Sequence, residues 1–343
     1  MNPVDLGFQM PPEWAPHHRT IMEWPVKEAA WPEPFAAIIP AYVQIVKAVA
    51  SFEPVTLIVN PRLAGEATAY CGRFAEILPL EHNDSWARDN GPTFIVNGQG
   101  ELAGINWIFN GWGGKFPAEL DNQVAPRLLE HFKVPRFDAP LVMEGGSFHV
   151  DGEGTLLTTE ECLLNPNRNP NLGREAIETR LRAYLGVKKT IWLKRGWTGD
   201  DTDGHIDNVA CFARPGVILT QVCRDPSDPS FEISRENLAI LGSVTDAKGR
   251  RPEIIEIEQP PAASFEENRL TLSYLNFYFV NGGIILPVFG GGNSSSDRDA
   301  QATLARVFPD RKIVPVDGSV IARGGGNVHC LTQQMPAGYI RIK

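Results

Sequence analysis

The feature that most constrains the fold is a turn signal that recurs four times at similar spacing. The turns begin at residues 97, 151, 214 and 281, and each lies between two strand-like runs. Asn-Gly and Asp-Gly pairs between such runs are typical of β-hairpins. The steps between turns leave room for a helix in each unit, and repeated supersecondary units stack or close into a ring. The sequence therefore predicts a repetitive α/β fold.

Six helices are predicted from apolar residues three and four positions apart, and Ser294 to Asp297 is a candidate N-cap region for the last of them. The predicted helices are 35–50, 64–74, 120–132, 173–185, 231–241 and 297–308. A fifth unit is completed if a strand around Val328–Thr332 joins the N-terminal run His18–Trp24. Such closure removes exposed sheet edges. No change of composition marks a linker, so we predict a single domain, residues 1–343.

The overall composition favours a cytoplasmic protein. The net charge of −9 argues against a nucleic-acid partner. Five cysteines without CxxC spacing argue against a disulfide framework or a structural zinc site. The N-terminus lacks a basic region followed by an apolar run, and no apolar stretch is long enough to span a membrane. We therefore predict no membrane partner.

Cys330 is the candidate nucleophile. Glycines 324–326 allow a close approach of the backbone to another group and lead into an apolar run that is predicted to be a short buried strand. A thiolate is an intrinsically strong nucleophile. A buried cysteine is more often a small packing residue, so the case for chemistry depends on the residues around it.

Three acids occupy nearly the same place in successive units. Asp89, Glu144 and Asp207 precede their turns by similar distances, and Tyr274 takes this place in the fourth unit. In a ring, equivalent positions converge. Three clustered carboxylates repel one another unless a cation lies among them or some of them are protonated. The alternative is that each acid is a separately solvated strand end.

His205 adds a base beside Asp207. If this run is a strand, the two side chains share a face. A cluster of Cys, His and several carboxylates is then compatible with three kinds of chemistry. The first is a metal site built from Asp203, His205 and Asp207, although no second histidine supports it and we predict no metal. The second is a papain-like Cys–His hydrolase. The third, attack of a thiolate on a cationic carbon gripped by carboxylates, alone uses every residue of the set.

The motifs around these residues resemble those of the guanidine-modifying superfamily. The resemblance covers nearly the whole chain and is closest to the agmatine deiminases of the bacterial-type peptidylarginine deiminase family. It implies a five-bladed α/β propeller, the pentein fold, with pseudo-fivefold symmetry. The motifs that carry it are Trp86-Ala-Arg-Asp-Asn-Gly-Pro92, Asn110-Gly-Trp-Gly-Gly-Lys115, Met143-Glu-Gly-Gly-Ser147, 158–170, Gly204-His-Ile-Asp-Asn208 and Gly325-Gly-Asn-Val-His-Cys330.

The resemblance also implies roles for these side chains. Cys330 would attack the guanidinium carbon, and Asp89 and Asp207 would bind its nitrogens. His205 would protonate the departing ammonia and then activate water. Glu144 would orient His205 and bind a nitrogen. The implied reaction converts agmatine into N-carbamoylputrescine and ammonia through a covalent thiouronium, without a cofactor. A homodimer is expected on the same ground.

The substrate's far end is the least constrained part of the resemblance. Asp201 matches the family's substrate-end acid, which is usually Glu, and Trp86 and Trp112 are candidates for walls around the aliphatic chain. Deimination of arginine or peptidyl-arginine and amidino transfer are the enzymatic alternatives. A non-catalytic protein of the same fold, such as a ribosome anti-association factor, is the other alternative.

Overall fold

Five sheets repeat one pattern of strand pairing in the computed structural model, which describes residues 2–27, 31, 34–292 and 294–340. In each sheet an antiparallel pair is followed by a parallel pair. Two of these sheets have four strands: Gln333–Pro336, His17–Glu23, Val55–Val59 and Ala75–Pro79 in one, and Phe8–Gln9, Thr93–Asn97, Leu102–Ile108 and Arg136–Val142 in the other. The next two sheets have three strands each: Phe148–Val150, Thr155–Thr159 and Lys189–Leu193, and then Ala210–Arg214, Val217–Val222 and Glu253–Glu258. The last sheet contains Tyr278–Val280, Gly283–Val288 and Lys312–Asp317. A separate hairpin pairs Ser264–Phe265 with Asn268–Arg269.

A helix connects each parallel pair, because parallel neighbours need a crossover connection. All six predicted helices are confirmed, as Ile38–Ala50, Ala64–Cys71, Val124–His131, Arg174–Leu185, Ser230–Ser243 and Ser295–Val307. The Ser294 hydroxyl accepts a hydrogen bond from the Asp297 amide and caps the last helix, as predicted. The remaining helical segments are short: Pro3–Leu6, Phe35–Ala37, Pro61–Leu63, Ala87–Asn90, Gly111–Gly114, Asp121–Gln123, Gly145–Ser147, Glu160–Leu163, Ile206–Asn208 and Ile321–Gly324.

The four predicted hairpins all form, and the chain ends meet in a fifth sheet. Gln333–Pro336 pairs antiparallel with His17–Glu23, with Gln333 opposite Ile21. The α/β fold class is thus confirmed, and the predicted joining of the two ends completes the fifth unit. The predicted single domain, 1–343, stays a prediction, and its first and last residues lie outside the described ranges.

The prediction of a strand at Val328–Thr332 is wrong. This segment folds back on itself: the Leu331 amide donates to the Asn327 carbonyl at 3.1 Å, and the Thr332 amide donates to the His329 carbonyl at 3.1 Å. These turn hydrogen bonds use backbone groups that a sheet would need. The strand begins only at Gln333, so Cys330 lies in the turn before it.

In four of the five sheets a central strand is buried along its whole length, as Val55–Val59 and Gly283–Val288 illustrate. Parallel strands covered on both faces are typically continuous apolar runs, and their burial supplies the main stabilisation. The helix Ile38–Ala50 adds buried Tyr42 and Val46 to this core. Within the described ranges, no helix combines the length and the apolar character that crossing a bilayer requires.

Candidate active site

The candidate residues lie in equivalent loops. Asp89, Glu144, Asp207 and Cys330 each precede the antiparallel strand that opens a unit, and Tyr274 does so in the remaining unit. Repetition of one backbone pattern therefore brings four chemically active side chains to the same kind of position. Tyr274 takes no part in the group, because its hydroxyl donates to Asp297 at 2.8 Å.

Gly146 marks the point where the side chains of Asp89, Asp207 and His205 meet. A Cβ atom on this glycine would lie 2.7 Å from Nδ1 of His205, 2.9 Å from Oδ2 of Asp207 and 2.9 Å from Oδ1 of Asp89. Real Cβ atoms essentially never approach other atoms so closely, so only glycine fits here. Of the three acids predicted to converge, Asp89 and Asp207 meet here beside His205, and Glu144 is not among the contacts of this point.

The sequence predicts that His205 and Asp207 share one face of a strand, but the run from Asp203 to Asp207 is not a strand. Asp203 and Gly204 have φ angles of 64° and 87°, and a short 3₁₀ helix, Ile206–Asn208, follows. The His205 amide donates to the Asp200 carboxylate at 3.1 Å. A tight turn, not alternation along a strand, directs both His205 and Asp207 inward.

Cys330 is buried, and polar groups surround its sulfur. The thiol donates to Oδ2 of Asp207 at 3.5 Å, and Nδ2 of Asn276 lies 3.2 Å from Sγ. Burial, together with the negative charges of Asp207 and Asp89, raises the pKa of the Cys330 thiol well above its usual value. In the free protein the Cys330 side chain is therefore held as a thiol.

The glycines before Cys330 allow the close approach that the sequence predicted. A Cβ atom on Gly326 would lie 2.6 Å from the Trp86 ring and 3.1 Å from Sγ of Cys330. Gly325 has a φ angle of 95°, a conformation that L side chains rarely adopt. These glycines let the main chain pass between the cavity wall and the thiol.

Glu144 and His205 lie together behind the cavity, with no exposed surface. Oε2 of Glu144 lies 4.0 Å from Nε2 of His205, and Oε1 accepts from Nε of Arg168 at 2.6 Å. Burial lowers the pKa of His205 to about 3, so the imidazole is neutral near pH 7. Burial raises the pKa of Glu144, although Arg168 partly offsets this effect. In the free protein the imidazole is therefore an uncharged, weak base.

Asp89 forms part of the cavity floor. Its Oδ2 accepts from the indole Nε1 of Trp112 at 2.9 Å, and its Oδ1 accepts from the Gly146 amide at 2.9 Å. Burial, followed by the negative charge of Asp207, raises the pKa of Asp89 to about 7. A bound cation between Asp89 and Asp207 would relieve this repulsion.

A cavity of about 450 Å³ leads from the surface to Cys330 and Asp89. Trp86 and Trp112, both 5% exposed, line it, as does the exposed Asp201 near its outer part. The volume suits a small ligand. Four of the five predicted substrate-binding residues therefore line one cavity, namely Asp89, Trp86, Trp112 and Asp201. The fifth, Asp207, is buried outside the lining, as are Glu144 and His205.

Sequence reasoning missed the partners that hold these groups. Asn276 contacts the Cys330 sulfur, Arg168 binds Glu144, and His329 bonds Asp207. The sequence signal that could have identified these partners was their position relative to the motifs and the repeat units. Arg168 and His329 stand inside the recognised motifs, and Asn276 follows Tyr274 in the unit that lacks an acid.

One group of donor atoms has the composition of a metal site. The donor atoms of Glu144, Cys162 and His205 lie within 4.8 Å of one another. Asp203, a ligand in the metal alternative, instead contacts Arg168 and Lys115, each at 2.6 Å. The Arg168 guanidinium already supplies positive charge to Glu144, so the protein itself compensates this carboxylate.

Comparison with known proteins gives the family. The sequence profile of the Porphyromonas-type peptidyl-arginine deiminase family matches residues 9–336. This chain belongs to that family. It is similar to an agmatine deiminase of Ectopseudomonas mendocina (strain ymp), with 44% identity over 356 residues and 96% of each chain covered.

Solved structures of family members have the same fold. The agmatine deiminase of Enterococcus faecalis superposes with a TM-score of 0.93 at 36% identity, and 98% of each chain is covered. A substrate-bound agmatine deiminase of C. jejuni superposes with a TM-score of 0.90 at 32% identity, and 97% of each chain is covered. These matches extend over nearly the whole chain.

Proposed function

We propose that this chain is an agmatine deiminase that hydrolyses agmatine to N-carbamoylputrescine and ammonia. The observation that carries the proposal is the convergence of Asp89, Asp207 and His205 around one point beside the Cys330 thiol. Paired carboxylates are suited to a planar guanidinium, which offers nitrogen donors in a fixed plane. The names of the similar proteins support agmatine as the substrate.

The chemistry begins when the cationic substrate binds. Asp89 and Asp207 accept hydrogen bonds from guanidinium nitrogens, and the positive charge stabilises the thiolate beside it. The Cys330 thiol then ionises, and neutral His205 takes its proton. Substrate binding thus removes the obstacle that the buried carboxylates present to ionisation of the free thiol.

Two half-reactions follow. The Cys330 thiolate attacks the guanidinium carbon and forms a C–S bond. Protonated His205 gives its proton to the departing nitrogen, and the C–N bond breaks. Ammonia departs, and a covalent thiouronium remains on Cys330. His205 then takes a proton from water as its oxygen attacks the same carbon. The C–S bond breaks as the carbonyl forms and the hydroxyl proton is released to the solvent; the Cys330 thiolate takes back a proton from His205, and the ureido product leaves.

Glu144 and Arg168 have supporting roles in this proposal. Glu144 orients the imidazole, as the third group does in triad-like sites, and Arg168 keeps Glu144 ionised despite its burial. Because loops of several units contribute to one site, we also propose that a single domain carries the activity. A homodimer and a cytoplasmic location stay predictions from the sequence.

The test is formation of ammonia and ureido product from agmatine, arginine and a blocked arginyl peptide. We expect turnover of agmatine and its abolition in Cys330→Ala, with unchanged far-ultraviolet circular dichroism. Preference for arginine or the peptide would keep the catalytic centre and overturn the assignment of substrate. Absence of turnover of all three would favour amidino transfer or a non-catalytic protein, and dependence on an amine acceptor separates these two.

A further inference from the structure

Glu13 lies in a buried charge network next to the candidate active site. Its carboxylate is 2% exposed, and NH1 of Arg88 lies 3.1 Å from Oε1. Nε2 of His329 lies 3.0 Å from both carboxylate oxygens, and Nε2 of His149 lies 3.6 Å from Oε2. Three basic groups from separate parts of the chain thus meet one acid of the N-terminal segment.

His329 connects this network to the site. Its Nδ1 lies 2.9 Å from Oδ2 of Asp207, while its Nε2 bonds Glu13, and the ring is 3% exposed. An ionised carboxylate only accepts hydrogen bonds, so two ionised partners require a hydrogen on both ring nitrogens. The geometry therefore fits an imidazolium between two carboxylates.

The charged groups around His329 act in opposite directions. Burial and the nearby Arg88 guanidinium lower the pKa of His329, but Glu13 and Asp207 outweigh them, and the net shift is upward. Burial raises the pKa of Asp207, but the hydrogen bond and charge of His329 outweigh it, and the net shift is downward. The neighbouring His205 ring is neutral near pH 7 and adds no charge.

One atom links this network to the nucleophile. Oδ2 of Asp207 accepts both from His329 at 2.9 Å and from the Cys330 thiol at 3.5 Å. A change in the charge or direction of this carboxylate is therefore transmitted directly to the thiol. Glu13 makes no hydrogen bond to the sulfur, and its connection to Asp207 runs through His329.

We propose that His329, fixed between Asp207 and Glu13, is a positioning residue that compensates the negative charge of Asp207 and directs its Oδ2 toward the Cys330 thiol and the bound guanidinium. The part that concerns the guanidinium rests on the proposed function, whereas the part that concerns the thiol does not. Without the imidazolium, the charge of Asp207 would be uncompensated and the thiol would ionise less readily.

The first test measures alkylation of Cys330 by iodoacetamide in the free protein between pH 7 and 9, followed by mass spectrometry of the Cys330 peptide. Below the thiol pKa, the rate is proportional to the thiolate fraction. We expect His329→Gln to slow the rate at fixed pH by about tenfold, which corresponds to a rise of about one unit in the thiol pKa. An unchanged rate would overturn the proposal.

His82→Gln is the matched control. His82 is also buried, and its ring nitrogens contact the main-chain carbonyls of Trp24 at 2.9 Å and Leu80 at 3.1 Å, away from Cys330. We expect it to leave the alkylation rate unchanged. If both variants slow alkylation equally, loss of a buried histidine, not the contact with Asp207, is the cause, and the proposal fails.

A double-mutant cycle tests whether His329 acts through Asp207. In an Asp207→Asn background, the effect of His329→Gln should fall from about tenfold to less than about threefold, because coupled residues are not additive. A full effect in that background would contradict the proposal. If His329→Gln does not fold, Glu13→Gln serves instead: it should slow alkylation in the same direction, and an unchanged rate would count against the network.

These measurements need no substrate. If the wild-type protein fails to turn over agmatine but His329→Gln still slows alkylation, the proposed function fails and the role of His329 stands. If the wild-type protein turns over agmatine but His329→Gln leaves alkylation unaffected, the proposed function stands and the role of His329 fails.

Discussion

The indole Nε1 of Trp112 lies 2.9 Å from Oδ2 of Asp89, so a residue of the cavity wall fixes a carboxylate of the floor. Trp112 has a φ angle of 54°, and the adjacent Gly113 amide donates to Oδ1 of Asn110 at 2.9 Å. A positive φ is uncommon for a tryptophan and requires support from its surroundings. The loop thus holds the indole toward Asp89.

Trp112→Phe tests this relationship. The ring stays to line the cavity, but Asp89 loses one hydrogen bond, whose net value is about 0.5–1.5 kcal/mol. We expect kcat/KM for agmatine to fall by roughly three- to tenfold, because one such bond is worth about that factor. Trp192→Phe, which removes the bond from Nε1 to Glu178 on a distant helix, should leave kcat/KM unchanged. Equal losses in both variants would contradict the assignment.

The contribution of Asp89 to the stability of the free protein should fall as the pH rises from about 4 to 7, whereas His205, with a folded pKa of about 3, contributes in the opposite direction. In the unfolded chain an aspartate loses its proton near pH 4, whereas the folded pKa of Asp89 is raised to about 7 by burial and by Asp207. The folded state therefore holds more protons on Asp89 in this window, and each such group lowers the unfolding free energy by up to about 1.4 kcal/mol per pH unit.

Thermal unfolding of Asp89→Asn measures this contribution. The slope of stability against pH across the same window should be less negative in the variant than in the wild type. Asp200, whose pKa burial also raises to about 7, contributes in the same direction and remains in the variant. An identical pH slope in the two proteins would show that Asp89 is not protonated in the folded state.

Arg168→Met should destabilise the fold strongly. The guanidinium bonds Glu144 and Asp203, each at 2.6 Å, and its removal leaves Glu144 buried without a compensating charge. Breaking one side of a buried pair costs about 3–5 kcal/mol. Denaturant unfolding should report a loss of that order. The surface pair of Arg174 with Glu160 offers the control, since Arg174→Met should cost less than about 1 kcal/mol.

Asp201→Asn tests the recognition of the substrate's far end. If the exposed carboxylate on the cavity wall attracts the distal ammonium, the KM for agmatine should rise several-fold. We expect kcat to change little, because Asp201 is not among the groups that hydrogen-bond the Cys330 sulfur. Glu266→Gln removes another exposed acid of the same cavity. A rise in KM for Glu266→Gln alone would transfer the role to that residue.

The local pattern predicted the elements well because hairpins and helices are encoded over short stretches. Asn281 and Gly282 sit between two strands, as the turn signal indicated. The same reasoning failed where local hydrogen bonds compete with strand propensity. The apolar run Val328–Thr332 forms turns, and the segment before Asp207 turns through Asp203 and Gly204.

The sequence by itself determined the repeat and placed Asp89, Glu144, Asp207 and Cys330 in equivalent loops of successive units. Only the tertiary structure decided which groups compensate them. His329 lies 316 residues from Glu13 along the chain, yet the two are 3.0 Å apart once the C-terminal strand pairs with the N-terminal one. Periodicity specifies elements locally, whereas the charge state of a buried group depends on all neighbours that folding brings to it, near and far in sequence.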